Sequence, residues 1–138
     1  MRKTCTIIAT TALAVTLASG TASATPGSGV TGTILAQKTV GHTDYTLREI
    51  TIQPGGYTGW HFHDGTLYAY VKAGTLTHNL ADCSIDGVFG TGRAFSEKPD
   101  QVHIGRNLGS TPLVLEVLYV LPAGSPLSED APDPGCGF

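Results

Sequence analysis

The 138-residue sequence is poor in positive charge, with 8 Lys and Arg residues against 11 Asp and Glu residues. Such a balance does not attract the phosphate backbone of nucleic acids or the surface of anionic lipids. The sequence also lacks an apolar run of the roughly 20 residues that a transmembrane helix needs. We therefore expect no nucleic-acid partner and no membrane partner.

The N-terminal residues have the features of a secretory signal peptide. Arg2 and Lys3 precede an uncharged apolar stretch at residues 6–20, and "ASA" at residues 22–24 supplies the small side chains that a signal peptidase needs. We predict a signal peptide at residues 1–24, cleavage after Ala24, and a secreted or extracytoplasmic location. The remaining 114 residues carry a net charge of about −5 and suffice for one compact domain but not for two.

Cysteine is scarce, and only three residues of this type occur. Cys5 leaves with the signal peptide, so Cys83 and Cys136 remain as an even pair in an exported, oxidising setting. A disulfide between them closes a loop of about 54 residues and, on the chain-entropy model, stabilises the fold by about 4 kcal/mol. It would hold down the Pro- and Gly-rich C-terminal tail, residues 123–138. The alternative is that both residues are free thiols or metal ligands.

No long segment keeps a helical periodicity of apolar residues, whereas short strand-like runs alternate with turn sequences such as "QPGG" and "KPD". Predicted strands lie at residues 33–40, 45–52, 57–63, 67–74, 75–80, 101–107 and 112–122. Their regular spacing indicates a small antiparallel sandwich or barrel. We place this all-β domain at residues 33–122, after a flexible lead-in at residues 25–32.

Two of the five histidines stand one residue apart in "GWHFHDG". Successive side chains of a strand alternate between faces, so His61 and His63 point the same way, about 7 Å apart along the strand. Both imidazoles could reach one metal ion. Trp60 and Phe62 then face the opposite side, where they could pack against a core or a partner. The alternative is that the pair lies on the polar face of an ordinary strand.

A third histidine, His103, completes a pattern that resembles the two sequence motifs of the cupin superfamily. The first motif is matched in spacing by Gly55, His61, His63 and Gly74, and the second by Gly92, His103 and Asn107. Two positions of the second motif differ: Pro99 comes one place late, and Asp100 stands where glycine is usual.

The resemblance implies a single-domain double-stranded β-helix, a jelly-roll-like barrel, in which His61, His63 and His103 converge at the barrel mouth. It further implies one divalent transition metal ion, with Fe, Mn, Zn, Ni and Cu all left open. A small-molecule ligand or substrate would bind beside the ion. A homodimer is compatible with the resemblance, because many cupins dimerise through strand exchange.

The sequence departs from the family at one ligand, because the usual glutamate of the first motif would fall at Leu67 or Tyr68. We therefore expect three neutral imidazole ligands around a strongly Lewis-acidic ion, with Leu67 and Tyr68 near the pocket. The alternative is a pocket without metal. His78 shares a strand face with Leu76 and Leu80, which makes it a candidate pocket base or extra ligand, or else a half-buried, hydrogen-bonded histidine.

The sequence thus predicts a small exported cupin with a three-histidine divalent metal site in a small-molecule pocket. Its activity would be metal-dependent, oxygenase-like or of another cupin type, since three-histidine cupins include dioxygenases. The alternative function is a non-catalytic module that binds a small ligand or a metal ion. The sequence leaves open whether the protein is an enzyme. His42, in "GHTD", is expected on a surface loop.

Overall fold

A computed structural model describes residues 26–138, so the predicted signal peptide at residues 1–24 lies outside the described part of the chain. The described residues form ten strands and no helix: β1 Ser28–Val40, β2 Thr43–Tyr57, β3 His61–Phe62, β4 Thr66–Ala73, β5 Thr75–Leu80, β6 Ile85–Gly90, β7 Ala94–Glu97, β8 His103–Arg106, β9 Leu113–Pro122 and β10 Glu129–Asp130. None of residues 26–138 belongs to a helix long and apolar enough to cross a membrane. The predicted all-β class is confirmed.

The strands pair antiparallel in one nearly closed barrel. Along the main path the order is β10-β3-β8-β2-β9-β4-β7, while β1 pairs with β2, and β5 pairs with both β6 and β8. The longest ladder without a register shift joins β2 to β9, from Thr43 opposite Pro122 to Ile52 opposite Leu113. This ladder and its neighbour β4 form the wall on which the pocket is built.

The core follows from the alternation of apolar residues along β2, β4 and β9. Their inward side chains are buried at Ile50, Ile52, Leu67, Ala69, Val71, Leu113, Leu115, Val117, Tyr119 and Leu121, with Leu76 added from β5. Truncating a fully buried member such as Ile52 to alanine would cost roughly 2–5 kcal/mol of stability. The same alternation therefore decides which side chains face the pocket.

Some elements differ from the sequence prediction. β1 begins at Ser28, so most of the segment predicted as a flexible lead-in, residues 25–32, is strand paired with β2. β6, β7 and β10 were not predicted, because they are short and carry few inward apolar residues to mark a period of two. β10 lies in the tail and pairs with β3, placing Asp130 opposite His61.

The tail is held by the predicted disulfide, which is confirmed: Cys83 and Cys136 are bonded, with their Cα atoms 5.4 Å apart. Beside it, Trp60 is fully buried in a second apolar cluster with Ile104 and Ala131. The backbone N–H of Ala131 donates to the carbonyl of Trp60 at 2.9 Å. Trp60 thus packs under the tail, on the face of its strand opposite the histidines.

Candidate metal centre

The structure brings the three motif histidines together. His61 in β3 and His103 in β8 are cross-strand neighbours, and their ring centroids lie 4.3 Å apart. The ring of His63 lies 4.9 Å from that of His61 and 5.2 Å from that of His103. One nitrogen from each imidazole lies within 4.8 Å of the other two, so the three form a group that could hold a metal ion.

Backbone carbonyls orient all three rings. Each Nδ1 lies against a carbonyl oxygen: His61 against Gly59 at 2.9 Å, His63 against Leu127 at 2.7 Å, and His103 against Gln101 at 2.7 Å. A carbonyl oxygen can only accept, so each Nδ1 carries a proton and each Nε2 is directed at the centre of the cluster. Once an Nε2 proton is absent, its lone pair is free to bind a metal ion.

The sequence interpretation missed a carboxylate in this cluster. Glu97 Oε2 lies 3.2 Å from His63 Nε2 and 3.4 Å from His103 Nε2, and the Glu97 side chain is only 12% exposed. Glu97 is the cross-strand partner of Leu67, the position at which the resemblance predicts a glutamate. The three predicted histidines form a group of their own, but their surroundings are not purely neutral, because a carboxylate enters from the neighbouring strand β7.

A fourth imidazole reaches the same carboxylate. His78 is 2% exposed, and its Nε2 lies 3.4 Å from Glu97 Oε1, while its Nδ1 lies 3.1 Å from Asp86 Oδ2. His78, Glu97 and His103 form a second group with ligand atoms within 4.8 Å of one another. His78 therefore faces the barrel interior, as one of its two predicted roles requires.

The other residues singled out in the sequence divide between the two faces of the barrel. Leu67 is 2% exposed and lines the cavity beside Glu97. Tyr68, the next residue along β4, points outward and is 55% exposed, so the structure does not bring it into the pocket. His42 is exposed, and its carbonyl accepts a backbone hydrogen bond from Ala123, which agrees with a surface loop.

The pKa shifts of His61 and Glu97 show that the buried carboxylate needs a positive charge beside it. Burial lowers the pKa of His61 to about 3, reinforced by the charge of His103, so His61 is neutral at pH 7. Burial on its own raises the pKa of Glu97, but hydrogen bonds from His103, His63 and His78 outweigh burial and hold it well below its usual range. Glu97 is thus a buried anion whose charge must be balanced by imidazolium protons or by a cation.

The distances in the cluster fit a metal ion. Within residues 26–138, Nε2 of His63, His78 and His103 is buried without a hydrogen-bond partner. At 3.2 to 3.4 Å from a carboxylate oxygen, Nε2 of His63 and of His103 needs a positive charge, supplied either by a second proton on the ring or by a cation that both residues bind. Ligands about 2.1 Å from one ion are about 3.0 Å apart in an octahedral arrangement and about 3.4 Å apart in a tetrahedral one. The donor set and its spacing therefore suit a divalent transition metal.

The cluster lies in the wall of a small apolar cavity of about 40 Å³. Its apolar lining includes Leu67, Leu76, Phe95, Leu115 and Val117. A second cavity of about 110 Å³ shares His61, His63 and Tyr119 with the first and adds Arg48, Ser128 and Asp130. The histidines thus stand between an apolar interior and a polar mouth.

The remaining motif residues shape the backbone around the cluster. Asp100, which replaces the usual glycine, has φ of 59°, in the left-handed region that glycine favours and aspartate tolerates. Its N–H donates to the carbonyl of His63 at 2.9 Å, which joins the two motifs. Asn107 is fully buried, and its Nδ2 donates to the carbonyls of Ile52 and Thr111. These residues position the histidines without facing the cavity.

Comparison with known proteins identifies the family. A family model described as "Cupin domain" matches residues 48–121, more than half of the chain. The chain therefore belongs to the cupin superfamily, and the predicted double-stranded β-helix is confirmed. No curated protein matches the sequence.

Solved structures of similar fold include enzymes and other cupins. The polyketide cyclase RemF from Streptomyces resistomycificus is 21% identical, with 80% of this chain and 79% of that chain covered, at a TM-score of 0.61. A cupin domain from Bordetella pertussis is 21% identical, with coverage of 70% and 95% and a TM-score of 0.56. A Klebsiella pneumoniae protein with a double-stranded β-helix domain is 17% identical, with coverage of 74% and 84% and a TM-score of 0.57. Likeness at these identities supports the fold alone.

Proposed function

We propose that this protein is a small exported cupin that binds one divalent transition metal ion and acts on a small molecule beside it. In this proposal His61, His63 and His103 are the imidazole ligands and Glu97 is the carboxylate ligand. The observation that carries the proposal is geometric: the nitrogens of His61, His63 and His103 lie within 4.8 Å of one another, and the buried Glu97 carboxylate lies 3.2 and 3.4 Å from Nε2 of His63 and His103. His78, held by Asp86, orients the second oxygen of Glu97.

The bound ion would supply Lewis-acid chemistry, or oxygen chemistry if it is redox-active. The protein supplies the environment for that reaction. The apolar cavity excludes water from the ligand, and the carbonyl acceptors of Gly59, Leu127 and Gln101 keep each Nε2 directed at the centre. The cluster has an apolar cavity on one side and a polar mouth on the other. This asymmetry supports the proposal that the protein is an enzyme that takes up its substrate through the mouth. RemF shows that a cyclase can be built on this fold, but it does not transfer that activity to this chain.

A non-catalytic binding module remains the second candidate, because the same pocket would bind a small ligand saturably without converting it. The two functions are separated by product formation. An enzyme would give turnover that disappears when the metal is chelated and returns when it is restored, whereas a binding module would give saturation and unchanged ligand.

The first experiment is metal analysis of the purified mature protein. We expect about one equivalent of a divalent transition metal, removal by a chelator, and a lower melting temperature of the stripped protein, since binding to the folded state alone stabilises it. Re-addition of Mn, Fe, Ni, Cu or Zn, one at a time, should restore the melting temperature to an extent that ranks the metals. Absence of bound metal together with no stabilisation by any of the five ions would contradict the proposal.

Export is tested by the intact mass of protein recovered from outside the cytoplasm. The proposal expects the mass of residues 25–138, lowered by the two hydrogens lost in the disulfide. A mass that retains residues 1–24 would contradict processing after Ala24, and labelling of two thiols without prior reduction would contradict the Cys83–Cys136 bond in the exported protein.

A further inference from the structure

An arginine lies on the inner face of the barrel, at the mouth of the pocket. Alternation along β2 directs Arg48 to the same side as the buried residues Thr46, Ile50 and Ile52. Arg48 is half-buried and lines the mouth cavity together with His61 and His63. A positive charge in this position faces the mouth cavity.

The charge of Arg48 has no carboxylate partner. Among residues 26–138, the ion pairs involve Lys72 and the histidines, and none involves Arg48. Asp130 lines the same cavity but forms no ion pair with it. Within the described chain the half-buried guanidinium has a hydrogen bond to Tyr119 but no counter-ion for its charge. An anionic group of a ligand would supply the missing partner.

The neighbouring strand makes room for this guanidinium. Gly32 in β1 pairs with Ile50, one step along the inner face from Arg48. A Cβ atom at Gly32 would overlap Nη2, Cζ and Nε of Arg48. The absence of a side chain at Gly32 therefore allows the guanidinium to lie where it does.

Tyr119 links Arg48 to the histidine cluster. The Tyr119 side chain is 4% exposed, and its ring lies edge-on to that of His63 with the centroids 5.8 Å apart. Burial raises the pKa of Tyr119, while the charge of Arg48 and a hydrogen bond from it oppose that rise. The path from the mouth to the centre of the pocket thus passes Arg48 first, then Tyr119 and then His63.

We propose that Arg48 is an anion subsite, and that the ligand of this pocket is a small carboxylic acid with an apolar body. Its carboxylate would pair with Arg48 at the mouth, its middle would pass the histidines, and its apolar part would fill the cavity lined by Leu67, Leu76, Phe95 and Leu115. The position of the ligand relative to the metal rests on the proposed function. The pairing with Arg48 does not, because Arg48 and the apolar cavity are present whether or not an ion is bound.

The test compares butanoate with butanamide, whose short apolar tail suits the small cavity and which differ in charge at the head group. Binding of each probe to zinc-loaded and to chelator-treated protein is measured by titration calorimetry. In the chelator-treated protein we expect the wild type to prefer butanoate by about tenfold or more, and Arg48→Met to abolish that preference while leaving butanamide binding unchanged. The zinc content of the zinc-loaded variant should equal that of the wild type. Lys38→Met, which removes an exposed positive charge on β1, is the matched control and should keep the full preference.

A second variant guards against misfolding of Arg48→Met. Gly32→Ala keeps the charge but displaces the guanidinium, so it too should reduce the preference for butanoate. Equal binding of the two probes by the wild type, or a preference that survives in Arg48→Met, would overturn the anion subsite. Failure of the wild type to bind zinc would instead contradict the proposed function, and the chelator-treated arm would still decide the role of Arg48.

Discussion

The two faces of the β2-β9-β4-β7 sheet carry charged clusters of opposite character. On the outer face, Lys72 Nζ lies 2.7 Å from Glu49 Oε2 and 3.0 Å from Glu116 Oε1, and these side chains are 36 to 40% exposed. On the inner face, Glu97 is 12% exposed and is surrounded by three imidazoles. Both clusters contain glutamates on strands, but only the glutamate of the inner cluster is largely shielded from water.

The difference lies in what solvent does for each charge. Water and salt screen the outer cluster, so its three charges tolerate one another and contribute little. The inner carboxylate has lost its hydration and needs a positive partner, which is either a protonated imidazole or a metal ion. A buried carboxylate that converges with imidazole nitrogens in the wall of a cavity is an arrangement that suits a cation. The outer cluster gives no such indication.

The largest effect is expected from the histidines of the inner cluster. Replacing His61, His63 or His103 singly with alanine removes one of a few metal ligands and should lower metal affinity by on the order of 100-fold or more. The measurement is competition for the metal against a chromophoric chelator. His42→Ala, a histidine variant on the surface, serves as the control and should bind metal as the wild type does. Equal metal affinity in all four variants would show that His61, His63 and His103 are not metal ligands.

A smaller loss of metal affinity is expected when the charge of the Glu97 side chain is removed and its shape is kept. Glu97→Gln should lower metal affinity by about 10- to 100-fold, because an amide oxygen is a weaker ligand than a carboxylate and does not neutralise the ion. The contacts with the imidazoles hold the pKa of Glu97 below its usual range, so the ionised carboxylate stabilises the fold and the metal-free variant should also be less stable than the metal-free wild type at pH 7. If the variant keeps the affinity of the wild type, Glu97 is a structural partner of the histidines only.

The smallest effect is expected on the outer face. Lys72→Met breaks both outer ion pairs, but the groups are exposed and screened, so the melting temperature should change little. Metal affinity should not change at all. Thermal unfolding at low and at high salt checks the first expectation, because a screened interaction weakens further as salt is added. A loss of metal affinity in Lys72→Met would show that the two faces are coupled.

Much of the fold and part of the site could be predicted from the sequence. The period of two places His61 and His63 on one face, the second motif adds His103, and the even cysteine pair predicts the disulfide. The inward direction of the His78 side chain was predicted from its alternation with Leu76 and Leu80. The convergence of these residues came from the family resemblance, because the pairing of β3 with β8 joins segments about 40 residues apart and leaves no local signal.

Glu97 and Arg48 were missed for physical reasons. β7 is only four residues long, so Phe95 alone marks its inward face, and "FSE" gives too little alternation to assign Glu97 to the interior. Arg48 stands in an alternating strand whose inner face is otherwise apolar or small, where a charged residue usually indicates the end of the buried section. The ladder pairing Leu67 with Glu97 depends on register between two strands, which the sequence does not encode locally.

The central claim is that Glu97 supplies from β7 the carboxylate that β4 lacks at Leu67, and exchanging the two residues tests it most directly. The side chains of directly opposed residues start about 5 Å apart, so a glutamate at position 67 can approach the same centre. Manganese affinity is measured for the wild type, Glu97→Leu, Leu67→Glu and the double variant, because carboxylate ligands favour this harder ion. We predict that Glu97→Leu loses manganese binding and that adding Leu67→Glu restores most of it. A double variant that binds manganese no better than Glu97→Leu, or a Glu97→Leu protein that binds it as well as the wild type, would contradict the claim.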